Sequence, residues 1–567
     1  MASTQDQPDY TTYTHADLLR RVTDLETQLR RLNNTAQQPS PTPPVSAAID
    51  WKKKKTPKKP PKPFDPSKHH ARLIALKFAY LGGNYNGFEH HANNPTPLPT
   101  VEEAVWKALR KTRLIFPEFG VGKDEGEVCW EGCEYSKCGR TDKGVSAFGQ
   151  VVGIRVRSCR PKGKDGGSDG GNCAQDGDVL DGGDSVVMNT NAGPLEGVPS
   201  HDGGTTETPW DPIRDEIPYI QLLNRVLPPD IRILAWCPHP PADFSARFNC
   251  KERRYRYFFT NPAYATAPGS HEGRLDIERM QLAAEKLEGL HDFRNMCKVD
   301  ASKQIANFER RIFHAGIHRH SPDSASTGSW LDPELYYFEV RGSAFLWHQV
   351  RHMVAVLFLV GQGYEQPDLV HHLLDVAKCP GKPVYEMADD RPLVLWDCIF
   401  PDAAQLSERD HGRSNGNGGA AGYIDTLEWV QVGDAAGGRD PAKRVVPGSD
   451  DGKYGPNGIM DSLWALWRKR KIDEVLAESL MGAVAQMRGN PALPATPTNG
   501  EPHGLVEVPG RSDRIFDGSE HPRTVGRYVP VMQRDRNDAP DVVNARYAVR
   551  KGLAPRHNGH APAVDVE

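Results

Sequence analysis

Cys138-Gly139-Arg140-Thr141-Asp142-Lys143-Gly144-Val145-Ser146-Ala147 is the stretch on which the reading of this chain turns. One carboxylate, Asp142, stands between two cations, Arg140 and Lys143, in a segment framed by Gly139 and Gly144. Nearby positive charge favours the charged form of a carboxyl group, so Asp142 is expected to be ionised. Glycine at both ends permits a sharp turn and the close approach of a bulky ligand. An ionised, accessible carboxylate on a loop suits a nucleophile or an electrostatic stabiliser in sugar chemistry. In an arbitrary Arg-x-Asp-Lys, a surface turn with a local ion pair is the ordinary interpretation, so the surrounding pattern has to decide.

Upstream, Ile74, Leu76, Phe78 and Tyr80 alternate with Ala75, Lys77 and Ala79, which predicts a strand with one buried face. A turn-rich loop follows over Gly82 to Gly87, and Thr100 with Glu103 forms a capping box that opens a helix to about Lys111. Downstream, Val152, Ile154 and Val156 share one face of a strand over 148–156. Further strands are predicted over Ile231–Cys237, Arg253–Thr260, Arg311–Ile317, Leu335–Val340 and Leu393–Phe400. In the second of these, Tyr255, Tyr257 and Phe259 share one face while Arg254 and Arg256 share the other. Ile277, Met280, Ala284 and Leu287 mark an amphipathic helix, and a strongly apolar helix surrounds Arg351. Strands and helices intermingle over 70–159 and 213–402, which predicts an α+β fold with a largely antiparallel sheet.

The rest of the 567 residues is expected to be less ordered, as 53 Gly and 47 Pro indicate. In residues 1–69, Leu18, Val22, Leu25, Leu29 and Leu32 form a short heptad seam, which would pair a homodimer or dock on the body. Lys52 to Lys55, Lys58, Lys59 and Lys62 follow among prolines, as a nuclear-localisation signal or nucleic-acid arm would read. Residues 160–212 form an acidic, Gly-rich insertion expected to be disordered; Asp176, Asp178 and Asp181 lack the ligand order of a calcium loop. Residues 403–457 are expected to form a second disordered insertion, and 458–567 a helix from Trp464 to Met487 with a mostly irregular extension. Net charge is −4, but 165–211 holds ten acids and no Lys or Arg, so the rest of the chain carries +6, a bias towards a polyanionic partner. Ten cysteines without paired spacing read as reduced intracellular thiols, and the longest apolar stretch, Phe345 to Val360, is too short and charged to cross a membrane.

The loop and three further segments, in the same chain order, resemble the TruA-type tRNA pseudouridine synthases. They are Tyr80-Leu81-Gly82-Gly83-Asn84-Tyr85-Asn86-Gly87-Phe88, Arg247-Phe248 with Arg253-Arg254-Tyr255-Arg256-Tyr257, and Phe345-Leu346-Trp347-His348-Gln349-Val350-Arg351. The resemblance implies two similar α+β halves around a basic cleft, and isomerisation of uridine in tRNA without metal or cofactor. It implies that Asp142 is the essential residue, that Tyr255 stacks on the target uracil and that Arg351 pairs with Asp142; Tyr255 is also the candidate for a part in removing the C5 proton. Arg140, Lys143, Arg254, Arg256 and His348 would join Tyr255 in contacting the RNA. Tyr135-Ser136-Lys137-Cys138, His291-Asp292-Phe293-Arg294-Asn295 and Tyr385-Glu386-Met387-Ala388 are most similar to the eukaryotic branch that modifies uridines 38 and 39, with residence in nucleus and cytoplasm. The alternatives are the broader-specificity eukaryotic branch of the same fold and a non-catalytic tRNA-binding or chaperone protein.

Elementary energetics agrees on one point. Arg351 lies on an apolar helix, where an unpaired charge costs several kcal/mol, so it needs a carboxylate, for which Asp142 is the candidate. Tyr257 reads as core. Cys129, Cys133 and Cys138 lie near one another, but their spacing fits no common zinc site.

Overall fold

The computed structural model describes residues 64–91, 96–118, 126–161, 210–265, 272–320, 333–407, 422–434, 452–455, 458–487 and 514–553. All elements below belong to one compact unit, Asp65–Glu567. The Leu18–Leu32 seam, the lysine tract and nearly all of the acidic insertion lie outside the described residues.

Ten strands make one sheet: β1 (His70–Tyr80), β2 (Ser136–Lys137), β3 (Ser146–Ser158), β4 (Ile231–Cys237), β5 (Glu252–Asn261), β6 (Gly289–Asp292), β7 (Glu309–Arg319), β8 (Glu334–Gly342), β9 (Leu393–Ile399) and β10 (Val430–Gln431). Their order is β10-β4-β1-β3-β9-β5-β8-β7-β6, with β2 beside β3. Every pairing is antiparallel except that of β3 with β9, which holds only Ser146↔Val394 and Ala147↔Leu395. That short parallel seam divides the sheet into two halves, each with its own apolar core. The fold is thus the α+β arrangement that the strand and helix pattern predicts, in the two halves that the resemblance implies.

Helices cover one face, as the alternation of each strand requires. The helix Val101–Lys111 packs Val105, Trp106 and Leu109 into the first core, and Thr100 caps it by accepting from the Glu103 N–H at 3.2 Å. In the second core, Tyr257 and Phe259 on β5 meet Phe358 of the helix Gln349–Gly361 edge-on, at 5.7 and 5.4 Å. All 13 residues of that helix are buried, so it is apolar all round apart from Gln349, Arg351 and His352.

One expectation outside 70–402 needs correction. Residues 422–434 are not disordered: β10 adds to the edge of β4, and Leu427, Trp429 and Val432 pack on the first core. A strand edge with unpaired backbone groups and a row of apolar side chains suffices to order such a segment. The C-terminal extension also packs on the body. Residues 514–533 lie against the second core, with Phe516 on Phe358 at 4.8 Å and Tyr528 stacked on Tyr364 at 4.6 Å. The helix Ile459–Gln486 forms where predicted, slightly longer, and buries only Ile459.

Candidate active site

The Asp142 loop enters β3 at the seam between the two halves. Its conformation is fixed from both sides. The Gln150 side chain clasps Gly139, accepting from its N–H at 3.2 Å and donating to its carbonyl at 2.9 Å. Thr141 is buried, and its hydroxyl lies 2.7 Å from that of Tyr80, while its carbonyl accepts from the Phe88 N–H at 3.0 Å. The Gly82–Phe88 segment is therefore a clamp on the loop. Gly87 has φ +87° and a Cβ there would come within 2.9 Å of the Thr141 carbonyl oxygen; both constraints require glycine. Gly144, with φ +81°, likewise leaves room for the carboxylate of Asp390.

With its backbone held, Asp142 presents its carboxylate to the segment ahead of the Gln349–Gly361 helix. The Trp347 indole N–H donates to one carboxylate oxygen at 3.2 Å, and His348 Nε2 lies 3.4 Å from the other. His348 is almost completely enclosed and has left-handed backbone, φ 61°. A non-glycine residue there costs about 1–2 kcal/mol, a strain that persists only where the surroundings enforce it. The geometry thus sacrifices backbone comfort to place an imidazole beside Asp142.

Arg351 does reach this site, yet its partner differs from the expected one. Its Nε donates to the Ala388 carbonyl at 2.7 Å, and its Nη2 lies 3.8 Å from Asp390 rather than against Asp142. Burial, and then the charges of Asp389 and Asp142, push the Asp390 carboxyl above its ordinary range although Arg351 pulls it down. Arg140 is likewise turned away from Asp142: it pairs with Glu89 at 3.1 Å, which also holds Lys137 at 2.9 Å. Burial alone would raise the Glu89 carboxyl; Lys137 and Arg140 carry it below the usual value. Lys143 is exposed at the mouth.

Asp142 opens onto a cavity of about 2160 Å³. Small-molecule pockets typically hold about 300–1,000 Å³, so this one suits a segment of a macromolecule. Eleven Lys and Arg line it against six Asp and Glu, the balance expected of a polyanion site. Tyr255 forms part of the wall, edge-on to Phe345 at 5.1 Å, and burial raises its hydroxyl far above the usual range, so it is a neutral phenol at physiological pH. On the opposite side the helix Pro540–Lys551 contributes Asn544, Ala548 and Val549, a wall that the reading of 458–567 as mostly irregular did not foresee.

Arg254 and Arg256 are not in the cavity. They lie on the other face of β5, where Arg254 pairs with Glu252 at 2.7 Å and Arg256 with Glu339 at 2.8 Å, stacked over Trp396 at 3.9 Å. Strand alternation forbids them from sharing a face with Tyr255. The expectation that they sit with Tyr255 at the substrate site is therefore corrected; of the arginines on this strand, Arg253 is the one that lines the cavity. Cys138 does not gather with Cys129 and Cys133 either; it meets Cys250 and Cys398. Trp347, Glu89 and Asp390 are the site residues that sequence reasoning missed.

Residues 283–401 match the family described as tRNA pseudouridine synthase. The chain is 38% identical over 395 residues to the tRNA pseudouridine(38/39) synthase of Saccharomyces cerevisiae, covering 69% of this chain and 72% of that protein. Against the tRNA pseudouridine(38/39) synthase of Homo sapiens it is 38% identical, over 69% and 68%. The tRNA pseudouridine synthase A of Methanothrix thermoacetophila is 27% identical over 59% of this chain and 86% of its own. Identity of 38% across more than two thirds of both partners, on top of a carboxylate loop set at the seam of two half-sheets, establishes that the chain belongs to the tRNA pseudouridine synthase family.

Proposed function

We propose that this enzyme isomerises uridine to pseudouridine at positions 38 and 39 of tRNA, with Asp142 as the essential group. The observation that carries the reading is the Asp142 carboxylate at the base of a basic cavity too large for a mononucleotide alone. A uridine in a stem-loop must leave its stack to meet a carboxylate there. Asp142 would assist cleavage of the C1′–N1 bond, by attack on the sugar or by stabilising the charge that develops on it. The freed uracil would rotate and rejoin through C5, after which a base removes the C5 proton. Tyr255 offers a flat face for the uracil, and its neutral hydroxyl suits donation of a hydrogen bond better than abstraction of a proton. Arg351 neutralises Asp390, so that the cavity does not hold two uncompensated carboxylates side by side. Arg140 and Lys143 would meet backbone phosphates.

The relatives named for positions 38 and 39 favour this branch over the broader-specificity one. The same reading includes nuclear and cytoplasmic residence through the Lys52–Lys62 tract and a homodimer through the Leu18–Leu32 seam. The test is pseudouridine mapping on unmodified tRNA transcripts treated with the enzyme or with Asp142→Ala. Conversion of uridines 38 and 39 by the wild type only is the expected result. Conversion elsewhere would overturn the positional assignment, and none at all by a protein that binds tRNA would overturn the catalytic one.

A further inference from the structure

Three thiols converge beneath the Asp142 loop. Cys138 starts the loop, Cys250 precedes β5 and Cys398 lies in β9, so they belong to three separate stretches of chain. All three are buried, and their sulfurs lie within 4.8 Å of one another. A tetrahedral ion with metal–sulfur bonds of about 2.3 Å needs sulfurs about 3.8 Å apart, which a small closure of this triangle supplies. A disulfide would use two of the three and leave the third unexplained.

Charge supplies the second observation. Arg253 projects its guanidinium into this cluster, where it donates to the carbonyls of Cys138 at 3.0 Å, Arg247 at 3.1 Å and Ser343 at 2.9 Å. Among the described residues it forms no ion pair with a carboxylate. Even a half-buried cation without a counter-charge is costly. Three thiolates, one divalent ion and one guanidinium sum to zero, whereas a monovalent ion would leave a negative charge uncompensated. Soft thiolate ligands select zinc among the common divalent ions. Cys138 and Cys250 also border the large cavity, from which a water can complete a tetrahedron.

We propose that Cys138, Cys250 and Cys398 bind one zinc(II) ion as thiolates, with a cavity water as fourth ligand. Binding releases the three thiol protons to solvent. The ion acts as a tether: it ties the root of the Asp142 loop to β5 and β9, the strands that carry Tyr255 and close the seam.

The full-length chain, purified under reducing and anaerobic conditions, is expected to hold one equivalent of zinc by elemental mass spectrometry. After chelation, cobalt(II) titration should saturate at one equivalent with intense thiolate charge-transfer absorption and tetrahedral d–d bands. Cys398→Ser should weaken cobalt uptake at least about tenfold, while Cys129→Ser leaves it unchanged. If Cys398→Ser does not fold, the wild-type titration decides, supported by protection of three thiols from maleimide when zinc is added. A folded, reduced wild type that binds neither ion at one equivalent would overturn the proposal. So would a disulfide between any two of the three cysteines in the freshly isolated protein.

Discussion

Tyr255 and Arg256 are consecutive in sequence, belong to one motif and stand on opposite faces of β5 with opposite consequences. On the cavity face, Tyr255 borders the open volume beside Asp142, and Arg253 lies at its wall with its guanidinium held by the carbonyls of Cys138, Arg247 and Ser343. On the rear face, Glu252 is fully enclosed and accepts from Arg254 at 2.7 Å, Arg341 at 2.9 Å and the Tyr423 N–H at 2.7 Å. Arg256 is locked between Glu339, Tyr337 and Trp396. One face borders a space that a ligand can enter; the other consumes its charged groups in ion pairs with one another. Membership of a motif therefore does not assign a role, because a period of two residues sends half of any strand motif to the wrong side.

The largest expected effect lies on the cavity face. Asp142→Ala should lower turnover at least ~10³-fold, the scale of removing a group that acts in the transition state, while tRNA affinity stays within about threefold. Single-turnover kinetics with a filter-binding control separates the two. Turnover that survives would break the comparison at its strongest point, and joint loss of binding would mean that the loop itself had collapsed.

On the rear face the cost should be structural. Glu252→Gln leaves two guanidiniums facing each other without their shared counter-charge. Breaking a buried ion pair costs about 3–5 kcal/mol, and the low end applies here because Arg254 and Arg341 keep some contact with water. Denaturant unfolding should register that loss, while kcat of the folded variant is unchanged. A fall in kcat without a fall in stability would show that the rear face takes part in catalysis.

The same strand shows how much the sequence could reveal. Its alternation separated Tyr255, Tyr257 and Phe259 from Arg254 and Arg256, and the structure keeps that separation. The placement of the two arginines at the RNA came from the motif, against the strand's own period. The loop over Cys138–Ala147 was legible because its constraints are local: glycines where the backbone turns, and a carboxylate between them. The partner of Arg351 was not, because Asp390 reaches it across the fold and nothing in the spacing of either residue encodes that contact. Trp347 was hidden for a related reason. Its indole N–H reaches Asp142 across 205 positions of chain, a contact that no local spacing encodes. The helix Pro540–Lys551, with its lone Pro and its mixed polarity, gave no signal that it would wall a cavity formed by residues hundreds of positions earlier.

A third test probes the floor beneath the cavity. His352 is buried beside Lys382, which donates to its Nε2 at 2.8 Å. Burial, with the charges of Lys382, His348 and Arg351, depresses its pKa from 6.5 to about 2. Below pH 6.5 the unfolded chain therefore takes up a proton that the folded protein refuses, so stability falls with pH. From pH 7 to pH 5 this one group should cost about 2 kcal/mol. Unfolding at both pH values should show a difference between wild type and His352→Gln of that size, with the variant less sensitive. Equal pH sensitivity would mean that His352 titrates normally and that the floor is wetter than its packing indicates.

The smallest effects give the sharpest contrast, because they compare one residue type on the two faces. Trp347→Phe keeps an aromatic ring and removes only the N–H that reaches Asp142. A hydrogen bond of this kind is worth about 0.5–1.5 kcal/mol, more when its acceptor is charged, so kcat should fall roughly three- to tenfold with stability nearly unchanged. Trp396→Phe weakens the platform under Arg256, where a cation over an indole is worth about 0.5–1 kcal/mol, so stability should fall by less than that and kcat should hold. The pair is informative because a nonspecific effect of losing an indole would move both variants in the same direction. If Trp347→Phe lost stability and kept its rate, the contact to Asp142 would be a packing feature, and the division of labour between the two faces would rest on Asp142 alone.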